Sequence, residues 1–144
     1  MKPWKGNIAE PSSKWLTDGV CVVKASSVAK SFGKPPRDPT RSIPEASIAG
    51  TVAKVTRCAK PAMVIESVQC MENQVVAHAN GIAAVFCGWY FAMLRRVFGS
   101  KITMEIARAP VIYDTTKADG AALVVRKFGE VVAILTSRKP EGTP

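Results

Sequence analysis

The sequence predicts an α+β fold in which one long apolar helix, about residues 62–98, packs on a C-terminal antiparallel sheet, about residues 101–137. A shorter helix and an N-terminal strand come before it. Three observations carry this expectation. Val64, Val68, Met71, Val75, Ala79, Ile82, Phe86, Trp89, Met93 and Val97 recur at steps of three and four, which draws an apolar seam along a helix. Ile102, Met104 and Ile106 alternate with Lys101, Thr103 and Glu105, the period of a strand with one buried face. Two apolar runs, 121–127 and 130–137, flank Phe128-Gly129 and read as a hairpin.

Taken in order, residues 1–14 are polar, with three lysines, and read as a flexible basic arm. Trp4 and Trp15 stand out in this region. Each would either dock on the core or offer a flat face to a base or partner. Thr17-Asp18-Gly19 reads as a turn and Val20–Val23 as a short buried strand. Ser26 would cap a brief helical turn through Val28 and Phe32, ended by Gly33. Residues 33–42 form a Pro-rich basic loop carrying Lys34, Arg37 and Arg41, since proline lacks an N–H and fixes φ.

Ser42-Ile43-Pro44-Glu45 has the form of a capping box. Ile48, Val52 and Val55 follow at helical spacing and predict a helix over about 43–59, with a strand over 50–57 as the rival. Lys54, Arg57 and Lys60 fall near one flank of it, and Pro61 ends it.

In the long helix, Glu66 and Glu72 lie near the start, Arg95 and Arg96 near the end, and Gly99 at the C′ position, as the helix dipole and C-cap chemistry favour. Gly81 and Gly88 are the points where it would kink or divide. Ile82 to Leu94 carries no charge on any side, so it is buried in protein or in lipid. At 1.5 Å per residue these positions rise only ~20 Å, short of the ~30 Å hydrocarbon core. A buried core helix is the expectation. A single span over 75–94, with Arg95 and Arg96 on its cytoplasmic or matrix side, is the rival. Ala84, Gly88 and Ala92 would form a small-residue stripe for close approach to a sheet or to a second copy.

In the hairpin, the turn sets Lys127 opposite Glu130, Val125 opposite Val132 and Leu123 opposite Ile134. Both its faces are apolar, which places it inside a covered sheet. The domain reading is an arm over 1–14, one α+β domain over 15–137 and a frayed tail over 138–144.

The chemistry that this sequence supports is binding rather than catalysis. No GxSxG, HExxH, GxGxxG or P-loop pattern is present. His78 is the only histidine and is read as a mid-helix core or interface residue. Cys70 and Cys87 stand eight and nine residues from it, off the one-turn spacing of two helical zinc ligands. No metal, cofactor or catalytic residue is therefore assigned. Cys21, Cys58, Cys70 and Cys87 include no CxxC pair, and no apolar run marks a secretory signal at the N-terminus. The expectation is four reduced thiols, at least two of them buried, in a cytoplasmic protein.

Twenty Lys and Arg against eleven Asp and Glu leave a net charge of +9, which favours a polyanionic partner. Residues 1–42 hold eight basic and three acidic groups, 43–99 five and three, and 100–144 seven and five. Secondary basic spots fall at Arg95-Arg96-Lys101, Arg126-Lys127 and Arg138-Lys139. The leading expectation is a non-enzymatic protein that holds the phosphate backbone of a nucleic acid, RNA ahead of DNA, without reading its sequence, as a homodimer or assembly subunit. The contacting residues would be Lys2, Lys5, Lys14, Trp15, Lys34, Arg37, Arg41, Lys54, Arg57, Arg95, Arg96 and Lys101. The rivals are a single-span membrane-associated accessory subunit and a small enzyme or ligand-binding protein with a pocket between helix and sheet.

Overall fold

The computed structural model describes residues 8–9, 14–17, 21–24, 42–43, 45–108 and 121–137. Within them the chain is a mixed α+β protein with two helices and antiparallel sheets. The centre is the C-terminal hairpin, β10 (Ala121–Lys127) and β11 (Glu130–Thr136). Its turn has Phe128 at φ 53° and Gly129 at φ 79°, positive at both central positions as in a type I′ turn, whose twist suits the flanking strands. Lys127 sits opposite Glu130, as the sequence predicts. Beyond that the register slips. Arg126 faces Val131 while Val125 faces Ala133 and Leu123 faces Leu135. Val132 is the extra residue of a β-bulge, which corrects the expected Val125–Val132 and Leu123–Ile134 pairs.

Four further strands complete a six-stranded sheet in the order β2-β3-β11-β10-β9-β5. These are β2 (Trp15–Thr17), β3 (Cys21–Lys24), β9 (Thr103–Arg108) and the irregular edge strand β5 (Ala59–Val64). Pro61 lies in β5, on an edge and within a register break between Ala59 and Val64, where a missing N–H is tolerated. β1 (Ile8–Ala9) pairs in parallel with β4 (Ser42–Ile43) as a separate two-stranded unit.

Both faces of the sheet are covered. Ala122 to Val125 are each 0% exposed. The residues of β10 alternate between two cores: Ala121, Leu123 and Val125 in one, Ala122 and Val124 in the other. The second core is closed by α1 (Glu45–Cys58) through Val55, with Val52 and Cys58 packed against it. This helix fulfils the prediction for 43–59, with Ser42 and Ile43 in β4 rather than in its first turn.

The first core is closed by residues 67–98, and here the expected long helix is absent. In its place stand β6 (Ser67–Cys70), β7 (Gln74–Ala79) and β8 (Ile82–Cys87) in a three-stranded antiparallel sheet, followed by α2 (Gly88–Phe98). Two turns divide the segment. Asn80 and Gly81 stand at φ 46° and 77°, an Asn-Gly type I′ turn between strands rich in valine. Met71 N–H donates to the Gln74 carbonyl at 2.8 Å across the Glu72-Asn73 turn. In β7 every second residue, Val75, Ala77 and Ala79, is buried, a period of two where the sequence suggested 3.6. Met71, placed on the apolar seam, is 56% exposed.

Only the end of the expected helix is helical, and Gly99 closes it as expected, at φ 75° with its N–H on the Arg95 carbonyl at 3.0 Å. Tyr90, Phe91, Met93, Leu94 and Phe98 bury its inner face. The small-residue stripe dissolves with the long helix. Ala84 lies in β8 and Ala92 is exposed on α2. Gly88 instead meets the backbone of Asn73 and Gln74, 3.3 Å from where a Cβ would stand. No helix among the described residues is long and apolar enough to cross a membrane, and the span expected over 75–94 is two strands and the start of a short helix.

Gly50 is exposed within α1, with nothing within 4 Å of where its Cβ would stand. Gly50→Ala is expected to stabilise the fold by about 0.5–1 kcal/mol, since alanine loses less backbone entropy in a helix. A rise in the urea midpoint at constant m-value checks this.

Candidate functional site: a basic rim on the six-stranded sheet

The sheet register brings cationic and aromatic residues that are distant in sequence to one end. The Phe128-Gly129 turn marks that end on β10 and β11. β3 runs antiparallel to β11, with Val23 opposite Ala133, so its last residue, Lys24, emerges beside the turn. Trp15 pairs with Lys24, which sets Lys14 and Trp15 at the same end of β2. On the other side Arg126 pairs with Thr103, and Lys101 lies two residues before it in the connection from α2. Arg95, in the last turn of α2, lines an open recess of about 330 Å³ together with Thr103, Ser100 and Ile102. Its guanidinium carbon is 5.7 Å from the centroid of the Phe91 ring.

Two carboxylates brace this rim. Glu130 pairs with Lys24, tying the hairpin turn to β3. Glu105, 5% exposed on β9, accepts a hydrogen bond from Arg126 Nε at 2.5 Å across to β10. Among the described residues, six cationic side chains, Lys14, Lys24, Arg95, Lys101, Arg126 and Lys127, share this end of the sheet with these two acids. Phe128 projects from the turn, 86% exposed, with Lys127 Nζ 5.9 Å from its ring centroid.

Of the residues singled out from the sequence, the structure therefore gathers Lys14, Trp15, Arg95 and Lys101. Arg96 is exposed on the same last turn of α2. Lys54 and Arg57 are exposed on α1, which covers the opposite face of the sheet from α2, and they do not join the rim. Lys60, expected beside them, lies in β5. Lys2, Lys5, Lys34, Arg37 and Arg41 lie outside the described residues. So do Trp4, the Pro-rich stretch up to 41, and the expected turns at 18–19 and 26–33.

Lys24 and Phe128 were missed. The turn that exposes Phe128 was legible from the hairpin pattern, but Lys24 reaches the rim only through a strand order that no local pattern encodes.

The residues considered for catalysis are not assembled. His78, expected on a helix, is half-buried in β7 between Ser67 and Ala83. Among the described residues no group of His, Cys, Asp and Glu has metal-binding geometry. The four cysteines form no disulfide, and only Cys21 is buried, with Cys58 and Cys87 half-buried and Cys70 exposed. The thiol expectation of two buried cysteines is corrected accordingly.

The described residues thus form a mixed α+β fold whose six-stranded sheet is covered on both faces and carries cationic side chains at one end. Comparison with family models, curated proteins and solved structures found no match to this chain.

Glu105 is deeply buried and held by Arg126, so truncating the arginine strands a carboxylate inside the fold. Arg126→Ala is expected to cost about 2–3 kcal/mol of stability, and Glu105→Leu in combination with Arg126→Met to recover most of that loss. Denaturant unfolding of the single and double variants measures both.

Proposed function

We propose that this chain is a non-enzymatic nucleic-acid-binding protein that holds the phosphate backbone at the basic rim, without sequence readout. The observation that supports it is the gathering of Lys14, Lys24, Arg95, Lys101, Arg126 and Lys127 around two carboxylates at one end of the sheet. Ammonium and guanidinium groups on a rigid sheet end release condensed counterions when they meet phosphates, and that release is a large part of such affinity. Lysine contacts of this kind set position on the strand and carry no base information. RNA is proposed ahead of DNA, and a homodimer or assembly subunit as its form.

The membrane-subunit reading loses its span, because residues 75–94 contain two short strands and the first turns of α2. For the pocket reading, the described residues offer an open recess beside Arg95, whose lining holds no nucleophile-and-base pair.

The test is a salt titration of binding by the 144-residue chain to a generic single strand and a generic duplex of equal length. Affinity is expected to fall steeply with salt. Lys101→Glu combined with Lys127→Glu is expected to weaken binding to both and to flatten the slope of log K against log salt by about one to two units, at roughly 0.7–0.9 per phosphate contact. Absence of binding at low salt, or affinity indifferent to salt, would overturn the proposal.

A further inference from the structure

We propose that Phe128 is a stacking residue for an unpaired base, so that the rim prefers single-stranded nucleic acid to duplex. This rests on the reading of the rim as a phosphate-binding surface and names the form of nucleic acid that the surface takes.

The first observation is conformational. Phe128 occupies φ 53°, a region that glycine and asparagine enter readily and that a bulky side chain enters at a cost. The companion turn of the fold, at residues 80–81, has Asn in the equivalent place before Gly, the usual solution for a type I′ turn. Phenylalanine at 128 therefore makes the central hairpin less stable than it need be.

The second observation is exposure. The ring is 86% exposed and packs on neither core, so the cost is not offset by burial. A strained backbone that presents an aromatic ring to solvent points to use of that ring.

The third observation is charge. The ring has Lys127 Nζ 5.9 Å from its centroid and stands among the cations of the rim, with Trp15 at the same end of the sheet on β2. That strand is two positions from β11, about 10 Å at the usual strand spacing. An aromatic face beside phosphate-binding cations matches a single strand, whose bases expose their π-faces. In a duplex those faces are covered by stacking with their neighbours.

Phe128→Asn separates the two ideas, because it removes the ring while installing the Asn-Gly turn that the backbone favours. The variant is expected to unfold at higher denaturant concentration. It is expected to lose about tenfold in affinity for a generic single-stranded oligonucleotide, the scale of one stacked base. Duplex affinity and the salt slope are expected to stay unchanged. Quenching of tryptophan or of a base analogue on binding reads both affinities.

Unchanged single-strand affinity in a folded Phe128→Asn chain overturns the stacking role while leaving the salt-dependent backbone binding intact. Equal loss on single strand and duplex overturns it as well, since that would mark a general contact. Self-association that depends on Phe128, seen by sedimentation without change in oligonucleotide affinity, assigns the ring to a second copy and overturns it too. If the parent chain binds no nucleic acid at low salt, the underlying function is what fails.

Discussion

Everything in this molecule leans on the burial of one hairpin from both sides. β10 is inaccessible from Ala121 through Val125, and β11 nearly so from Val132 through Leu135. Strands buried on two faces read as continuous apolar runs rather than as alternation, and they need two separate covers. Among the described residues, α1 covers one face and the β6–β8 sheet with α2 covers the other. That division of labour explains the composition: short stretches of chain on each side must cover a sheet with few polar positions. It also makes the hairpin turn the reference point of the fold, since β3, β9 and, through β3, β2 take their registers from it.

The bulge at Val132 shows how this constraint acts locally. A simple two-residue hairpin would carry the pairing from Lys127–Glu130 straight through Val125–Val132. Inserting one residue shifts all later pairs by one and changes which face each β11 side chain meets. Val132, Ala133 and Leu135 accordingly belong to the first core and Ile134 to the second. Sequence pairing arithmetic from the turn outward has no means of detecting such an insertion, because every residue from Val131 to Leu135 is apolar and any register buries hydrophobes.

The same degeneracy explains what was legible and what was not. Although Ser42 of the expected capping box lies in β4, the hairpin, the strand at 103–108 and the helix ending at Cys58 carried turn, alternation or helical-spacing signals that the structure retains. Residues 62–87 did not. With so many of them apolar, a seam at steps of three and four can be drawn through a segment that is strand. Periodicity then has little power, and turn chemistry decides. Asn80-Gly81 was the deciding signal, reinforced by the β-branched pairs Val75-Val76 and the valines at 64, 68 and 85, which favour a pleated strand over a helix. For the site, the individual cations were visible as residue types. Their convergence was not, because Lys14, Lys24, Lys101 and Lys127 come together only when five strands are set in order.

The rim also shows how a basic surface can be built without destabilising the sheet beneath it. Cations crowded at strand ends repel one another, and each carboxylate placed among them lowers that cost. Glu130 sits at the turn and Glu105 inside the sheet, so both engage cations that lie closest to the core, Lys24 and Arg126. The exposed Lys14 and Lys101 stand farther out. With Glu130 and Glu105 engaging these inner cations, Lys101, exposed beyond them, adds positive charge at the edge of the rim. Phe128 follows the same logic in the backbone: the turn is held rigid from beneath by the two-sided core, and that rigidity lets an unfavourable φ and an uncovered ring persist at its tip.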